Sequence, residues 1–430
     1  MIAAANHVEI KDRLAARLRE KQGEIVDLCA RLVRAPSPNP PGDTREVADI
    51  LVAYLSSYGI PSEIQKSHDL MPNVIARVGS AGSGPVLVMN GHIDVFPVDP
   101  SEHWSFEPYA GLVQDGRILG RGTADMKGGV TASVAAATTI AELGIPVDGS
   151  VLLTLVSDEE MGARYGTSWL LDISPSLRGD FVLSGEPTGP GLIWYGERGV
   201  NDWVISAEGV AGPGAAYGFG ESAIDKLAAA IPVVEALDGT QGSFPDELQS
   251  VVSEAKAIIE EEIGAGRSRV LDIVTLNIGL IRGGTNPAVT PAYAEMITNF
   301  RVPFGVDPHE LTAALEGRLK AAGVDVRVAF MHEERGISPA TYTTPQSKLV
   351  TSLQANVERV TGQRPRLGIC GGATDMRFYR RQGVPAVMHG PRSYPVFAAT
   401  PDEFIHTQEL LDVTIAHALT TIDLLGVRNA

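Results

Sequence analysis

Three short runs of this chain carry no charge on either face and end in ionisable residues. Val86–Asn90 runs into Gly91-His92-Ile93-Asp94. Val151–Val156 runs into Ser157-Asp158-Glu159-Glu160. Phe181–Ser184 runs into Gly185-Glu186-Pro187-Thr188. A strand with no polar face must be covered on both sides, which predicts interior strands with helices above and below. Lys127–Leu143 supplies one such cover. It is rich in Ala and Gly and has no charge between Lys127 and Glu142, so it reads as a buried helix. Strands and helices in this order, with acids at the strand C-termini, predict an open α/β sheet with its site at those ends.

The rest of the chain sorts around that sheet. Residues 8–34 alternate apolar and charged at helical spacing and stop at a loop holding Pro36, Pro38, Pro40 and Pro41. A helix is predicted over Thr44–Tyr58 and a loop with a hairpin over Trp104–Thr123. Beyond Leu192 the texture changes. An alternating strand (Glu197–Gly209), a helix (Ser222–Leu237), a charged helical stretch (Asp246–Ile263), two strands, a helix and a strand make an α+β unit. From about Thr343 the first texture returns: a helix, the turn Gly368–Asp375, the strand Pro385–Gly390 and a last helix from Thr407. The expected fold is therefore a mixed-sheet α/β domain, residues 1–190 and 340–430, interrupted by an inserted α+β domain, 191–339.

Composition narrows the function. The 430 residues carry a formal charge of −17, which argues against nucleic acid or an anionic membrane as partner. No apolar run reaches the roughly 18–20 residues a membrane span needs. The N-terminal residues turn charged too early for a signal peptide. Two cysteines, Cys29 and Cys370, make no disulfide framework, and a cytoplasmic location is the expectation.

The strand ends carry the chemistry. His92 and Asp94, two apart on a strand, share one face, so the Asp is expected to accept from the second ring nitrogen of a metal-bound His. A metal-free Asp–His pair at a strand end is the plainer reading of the tetrapeptide by itself. Gly120–Gly129 is dense in glycine but lacks the ending of a phosphate loop. Its acid, Asp125, opens the buried helix as a ligand or as an N-cap. Adjacent acids at 158–160 repel unless a cation sits among them. One His with several carboxylates at strand ends suits Zn²⁺, Mn²⁺ or a similar divalent ion.

The succession Gly-His-Ile-Asp-Val, Gly-Arg-Gly-Thr-Ala-Asp-Met-Lys-Gly-Gly, Ser-Asp-Glu-Glu, Gly-Glu-Pro-Thr, an inserted domain, Gly-Gly-Ala-Thr-Asp-Met-Arg-Phe and Pro-Asp-Glu-Phe covers residues 30–425 or so. It resembles the metallopeptidase family of carboxypeptidase G, acetylornithine deacetylase, succinyl-diaminopimelate desuccinylase and the aminoacylases. The resemblance implies a catalytic domain with a metal pair and an inserted lid or dimerisation domain. It implies that His92 and Glu186 bind the first metal, that Asp125 bridges both, and that Glu160 binds the second. Glu159 is then the general base, Asp94 orients His92, and Arg301 meets a substrate carboxylate across a homo-oligomer interface. A cis peptide between Asp125 and Met126 is also implied.

The chain departs from that pattern in three places. Ala399 stands where relatives have a His for the second metal, with His389 and His406 nearby but out of register. Pro213 stands where relatives carry a lid His, and no His occurs between His103 and His309. Ala288 replaces an Asn before Val289-Thr290-Pro291, with Asn286 close by. One tightly held divalent ion per chain (Zn, Mn or Co) is thus expected, at His92, Asp125 and Glu186. Hydrolysis of a C–N bond in a small carboxylate-bearing N-acyl amino acid or dipeptide is the leading expectation. The lost oxyanion donor suggests an alternative, hydrolytic deamination of an activated aromatic amine, as in the 5-nitroanthranilate aminohydrolase branch. A non-catalytic binding homologue is the third reading.

Overall fold

The structure, a computed structural model, describes residues 2–80, 82, 84–216, 218–331, 337–392 and 400–428. The chain divides into two compact units. One comprises Met1–Tyr195, Tyr342–Gly368 and Thr374–Ala430, and the other Gly196–Thr341 with Ile369–Ala373. The segment Ile369–Ala373 thus groups with the second unit, although it lies inside the 340–430 piece expected in the first, and its start belongs to the strand Arg366–Cys370 where a turn was expected from Gly368. No helix among the described residues is long and apolar enough to cross a membrane.

The first unit is built on a mixed sheet. Its strands run in the order Ser62–Gln65, Asn73–Gly79, Ser150–Val156, Val86–His92, Phe181–Ser184, Ala386–Met388, Leu192–Glu197. The three uncharged runs are the parallel centre, with His92 beside Val156 and Asn90 beside Ser184. Parallel alignment makes their C-termini coincide, so the ionisable residues after each run arrive at one edge of the sheet. Burial matches the pattern: every residue of Ser150–Val156 is buried.

The predicted buried helix is Gly128–Glu142, with every residue from Gly128 to Ile140 inaccessible. It packs on Val86–His92 and Ser150–Val156 from one side and on the C-terminal helix Thr407–Leu425 from the other. Small residues let it approach. A Cβ on Gly129 would lie 2.0 Å from the carbonyl oxygen of Gly185, and one on Gly390 would lie 1.9 Å from the same oxygen. Main chain therefore packs directly on main chain beneath Glu186. The N-terminal region forms two helices, Ile2–Glu20 and Gln22–Arg34, instead of one run.

The second unit is a four-stranded antiparallel sheet in the order Thr275–Gly283, Tyr293–Val302, Gly199–Glu208, Arg327–Phe330. Gly199–Glu208 and Tyr293–Val302 alternate buried and half-buried along their length. Trp203 stacks on Phe300 with centroids 3.8 Å apart. Helices Ala223–Glu235 and Pro308–Ala321 add Leu227, Val234, Leu311, Leu315 and Leu319 to that core. Alternation at period two with two amphipathic helices is what a sheet covered on one face requires.

Candidate metal centre

His92 is the last residue of its strand and is 1 % exposed. Its Nε2 lies 3.0 Å from Asp125 Oδ1 and 3.9 Å from Glu186 Oε1. One ligand atom each from His92, Asp125 and Glu160 falls within a 4.8 Å cluster. Glu160 Oε1 is buried and has no hydrogen-bond partner. An orphaned carboxylate oxygen beside a His and two more acids is the donor set a hard or borderline divalent ion satisfies.

Asp125 sits in a distorted turn, Thr123–Lys127, whose Asp125 and Met126 have non-helical dihedrals and are joined by the cis peptide the resemblance implied. The following helix is capped at Lys127, so Asp125 is no N-cap and its carboxylate faces His92. Lys127 gives its hydrogen bond to main chain, not to an acid. Its buried Nζ donates to the carbonyl of Ala35 at 2.8 Å.

The expected contact between His92 and the Asp94 carboxylate is the longer of two that Asp94 makes with the ring. The second ring nitrogen of His92, Nδ1, bonds at 2.9 Å to the main-chain carbonyl oxygen of Asp94, and the Asp94 carboxylate is farther, at 3.6 Å. The bend after the strand brings the carbonyl inward and leaves the carboxylate for other donors. It accepts from Asn39 Nδ2 at 2.9 Å and from the main-chain N–H groups of Glu159 and Glu160 at 3.3 Å each. Asp94 therefore holds the loop that carries the two glutamates.

The electrostatics describe a site short of positive charge. Burial pushes Glu159 up to about 8; Asp375 and Asp125 repel it further, against the pull of His92 and Arg377. Burial, with Asp125 nearby, holds Glu160 and Glu186 well above the usual carboxylate range. Burial opposes a charge on His92, but the hydrogen bond to Asp125 and the field of Glu186 outweigh it and hold the imidazole well above its ordinary value. A divalent cation relieves all of these conflicts together.

Two participants escaped the sequence reading. Asp375 is 1 % exposed, accepts from Thr167 Oγ1 at 2.6 Å, and leaves Oδ1 without a partner; burial pushes it up to about 6. Glu403, fully buried, accepts from Arg121 Nη1 at 2.8 Å and from the main chain of Ala124 and Asp125. Both lie inside motifs recognised as whole strings, Thr374-Asp375-Met376 and Asp402-Glu403-Phe404, in which no single acid stood out.

The remaining expected residues lie elsewhere. Arg301 belongs to the second unit, where Nη1 donates to the carbonyl of Gly371 at 2.8 Å. Pro213 is in a two-residue strand paired with Val289–Thr290. Ala399 lies outside the described residues. Of its two neighbours, His389 is buried, with its ring centroid 5.5 Å from that of His417. Burial pushes it down to about 4, and its Nε2 meets the carbonyl of Pro190 at 3.2 Å. His406 caps the C-terminal helix. Neither His belongs to the metal-ligand cluster found among the described residues.

A cluster of this kind is the donor set of a divalent metal centre, and comparison with known proteins gives the class of protein that carries it. Residues 88–422 match the model of peptidase family M20/M25/M40. The chain is 31% identical over 364 residues to the succinyl-diaminopimelate desuccinylase of Cereibacter sphaeroides (strain ATCC 17029 / ATH 2.4.9), covering 83% of this chain and 87% of that one. The M20 family metallo-carboxypeptidase Sso-CP2 from Sulfolobus solfataricus superposes with a TM-score of 0.77 at 19% identity, over 94% of this chain and 99% of that one. The Bacillus subtilis YXEP protein, a dinuclear metal binding peptidase from the M20 family, superposes with a TM-score of 0.65 at 16% identity, over 95% and 100%. The chain belongs to peptidase family M20/M25/M40, and it is a metal-dependent hydrolase acting on C–N amide bonds.

Proposed function

We propose that this hydrolase cleaves the amide of a small carboxylate-bearing substrate, an N-acyl amino acid or a dipeptide, with Glu159 as general base. The observation that carries the reading is the meeting of His92, Asp125 and Glu160 in one cluster, with Glu186 3.9 Å from the same imidazole nitrogen. Glu159 adjoins that cluster in sequence, on a loop held by Asp94. His92, Asp125 and Glu186 would hold one divalent ion, and Glu160, clustered with His92 and Asp125, would offer a further carboxylate. Such an ion, when bound, supplies Lewis acidity toward the amide carbonyl and acidifies water.

The protein's own groups do the rest. Glu159, a carboxylate kept basic by burial among like charges, takes a proton from the attacking water and returns it to the leaving nitrogen. Asp94 fixes the main chain on which Glu159 stands. The desuccinylase relative supports a substrate of this class. Arg301, with its planar guanidinium, is the group proposed to receive the substrate carboxylate.

Amine release from N-acyl amino acids and dipeptides tests the reading. Activity should vanish on chelation and return with Zn²⁺, Mn²⁺ or Co²⁺. Glu159→Gln should retain metal binding while kcat falls at least about 10²-fold. Near-normal turnover in that variant would remove Glu159 from the mechanism.

A further inference from the structure

The ion pair of Arg121 and Glu403 lies wholly inside the first unit, at 1 % and 0 % exposure. Its partners are far apart in sequence. The strand Phe404–His406 pairs antiparallel with Arg117–Leu119, in the register Phe404 to Leu119, which sets Glu403 beside Gly120. The N–H of Gly120 donates to the Glu403 main-chain carbonyl at 2.8 Å. The two carboxylate oxygens then divide their work. Oε2 accepts from Arg121 Nη1 at 2.8 Å. Oε1 accepts the N–H of Ala124 at 2.8 Å and that of Asp125 at 3.2 Å. Arg121 is itself tied at Nη1 to the carbonyl of Thr400 at 3.3 Å, and its guanidinium lies 5.1 Å from the centroid of the Trp104 ring.

A buried ion pair is a weak source of stability, because desolvating both charges offsets their attraction. What this pair does provide is an acceptor for two N–H groups that a distorted turn cannot satisfy from its own carbonyls. Asp125, at φ −119 and ψ 98, is one of the two residues whose dihedrals leave the helical region there. Its carboxylate is the one 3.0 Å from His92 Nε2.

We propose that Glu403, held by Arg121, is a positioning residue for the metal centre: it fixes the main chain of Ala124 and Asp125 and so the place of the Asp125 carboxylate. This rests on the reading of His92, Asp125 and Glu186 as metal ligands. Groups that orient ligands typically contribute about 10–100-fold to metal affinity.

Calorimetric titration of the metal-stripped full chain with Zn²⁺ or Mn²⁺ tests it. Glu403→Gln should weaken binding about 10–100-fold, and the lost kcat/KM should return as free metal is raised. Arg121→Met with Glu403→Leu removes both charges and leaves neither alone, so it should fold and still bind weakly. A purely structural pair predicts the opposite: lower thermal stability, with metal affinity unchanged in whichever variant is folded. Affinity within about twofold of the parent in the folded double variant, which has no acceptor left at position 403, would overturn the positioning role alone. A parent that binds no divalent ion would overturn the metal-centre reading and this inference with it.

Discussion

At the level of single residues, His92, Glu160 and Glu186 stood out because they lie just past uncharged runs, where an acid or His needs a reason to be, whereas Asp125 was marked only by the resemblance. What the sequence could not display was which atom of a residue does the work. The spacing of Asp94 from His92 predicted a shared strand face, but the strand ends at His92, and the Asp94 main-chain carbonyl serves the imidazole while its carboxylate serves the glutamate loop. The bend after Ile93 decides this, and no residue spacing encodes it. Asp94→Asn should therefore act on catalysis more than on metal affinity. An amide nitrogen cannot accept, so at least one of the contacts to Asn39, Glu159 N–H and Glu160 N–H becomes donor against donor. The expected loss is about 10–100-fold in kcat, with a smaller change in the metal dissociation constant. A variant losing metal affinity and keeping kcat at saturating metal would return Asp94 to the role of orienting His92.

At the level of elements, the interior strands and the buried helix were readable from charge alone, because burial on both faces leaves no room for polar alternation. The joins between distant segments were not. Helix Ile2–Glu20 meets the C-terminal helix through Asp423, which accepts from Lys11 Nζ at 2.5 Å, from Asn356 Nδ2 at 2.7 Å and pairs with His7 Nε2 at 2.9 Å. Burial would raise the Asp423 carboxyl, but Lys11, Asn356 and His7 outweigh it and hold the group below its ordinary value. A carboxylate depressed in the folded state adds stability above its unfolded pKa and loses it as pH falls through the folded pKa. Asp423→Asn should therefore destabilise the protein at neutral pH, by about 1–2 kcal/mol for a partly solvated charged hydrogen bond. The gap should close below about pH 4, the ordinary range of an Asp carboxyl. Thermal unfolding of both proteins between pH 3 and pH 8, values chosen to bracket that range, checks this. A deficit that is constant with pH would mean the contact is packing and not charge.

At the level of the whole molecule, an interrupted α/β domain was legible from the change of texture near Leu192 and its return near Thr343. The stretch Ile369–Ala373 was not, since grouping with the second unit is a matter of three-dimensional packing that a segment rich in glycine does not advertise. The second unit also carries the question of substrate. Arg301 is half-buried there and already donates to Gly371, leaving the rest of its guanidinium fork for a carboxylate. The resemblance implies that it does so across an oligomer interface, in which case specific activity should fall on dilution together with the sedimentation coefficient. Arg301→Lys keeps the charge and loses the fork; kcat/KM should fall by about 1–3 kcal/mol, the range of a charged hydrogen bond. Pro213→His then tests the chemistry. An amide needs an oxyanion donor, and losing one typically costs about 10²–10³ in rate. If the lid position serves an amide, an imidazole there should raise turnover of an acyl amino acid in the same oligomer. An aromatic amine spreads its charge into the ring and offers no such oxyanion, so the added imidazole should leave its deamination unchanged. Faster amide hydrolysis in Pro213→His, with no aromatic deamination in either protein, would exclude the aromatic substrate; unchanged amide turnover in Pro213→His would mean that this position serves no oxyanion.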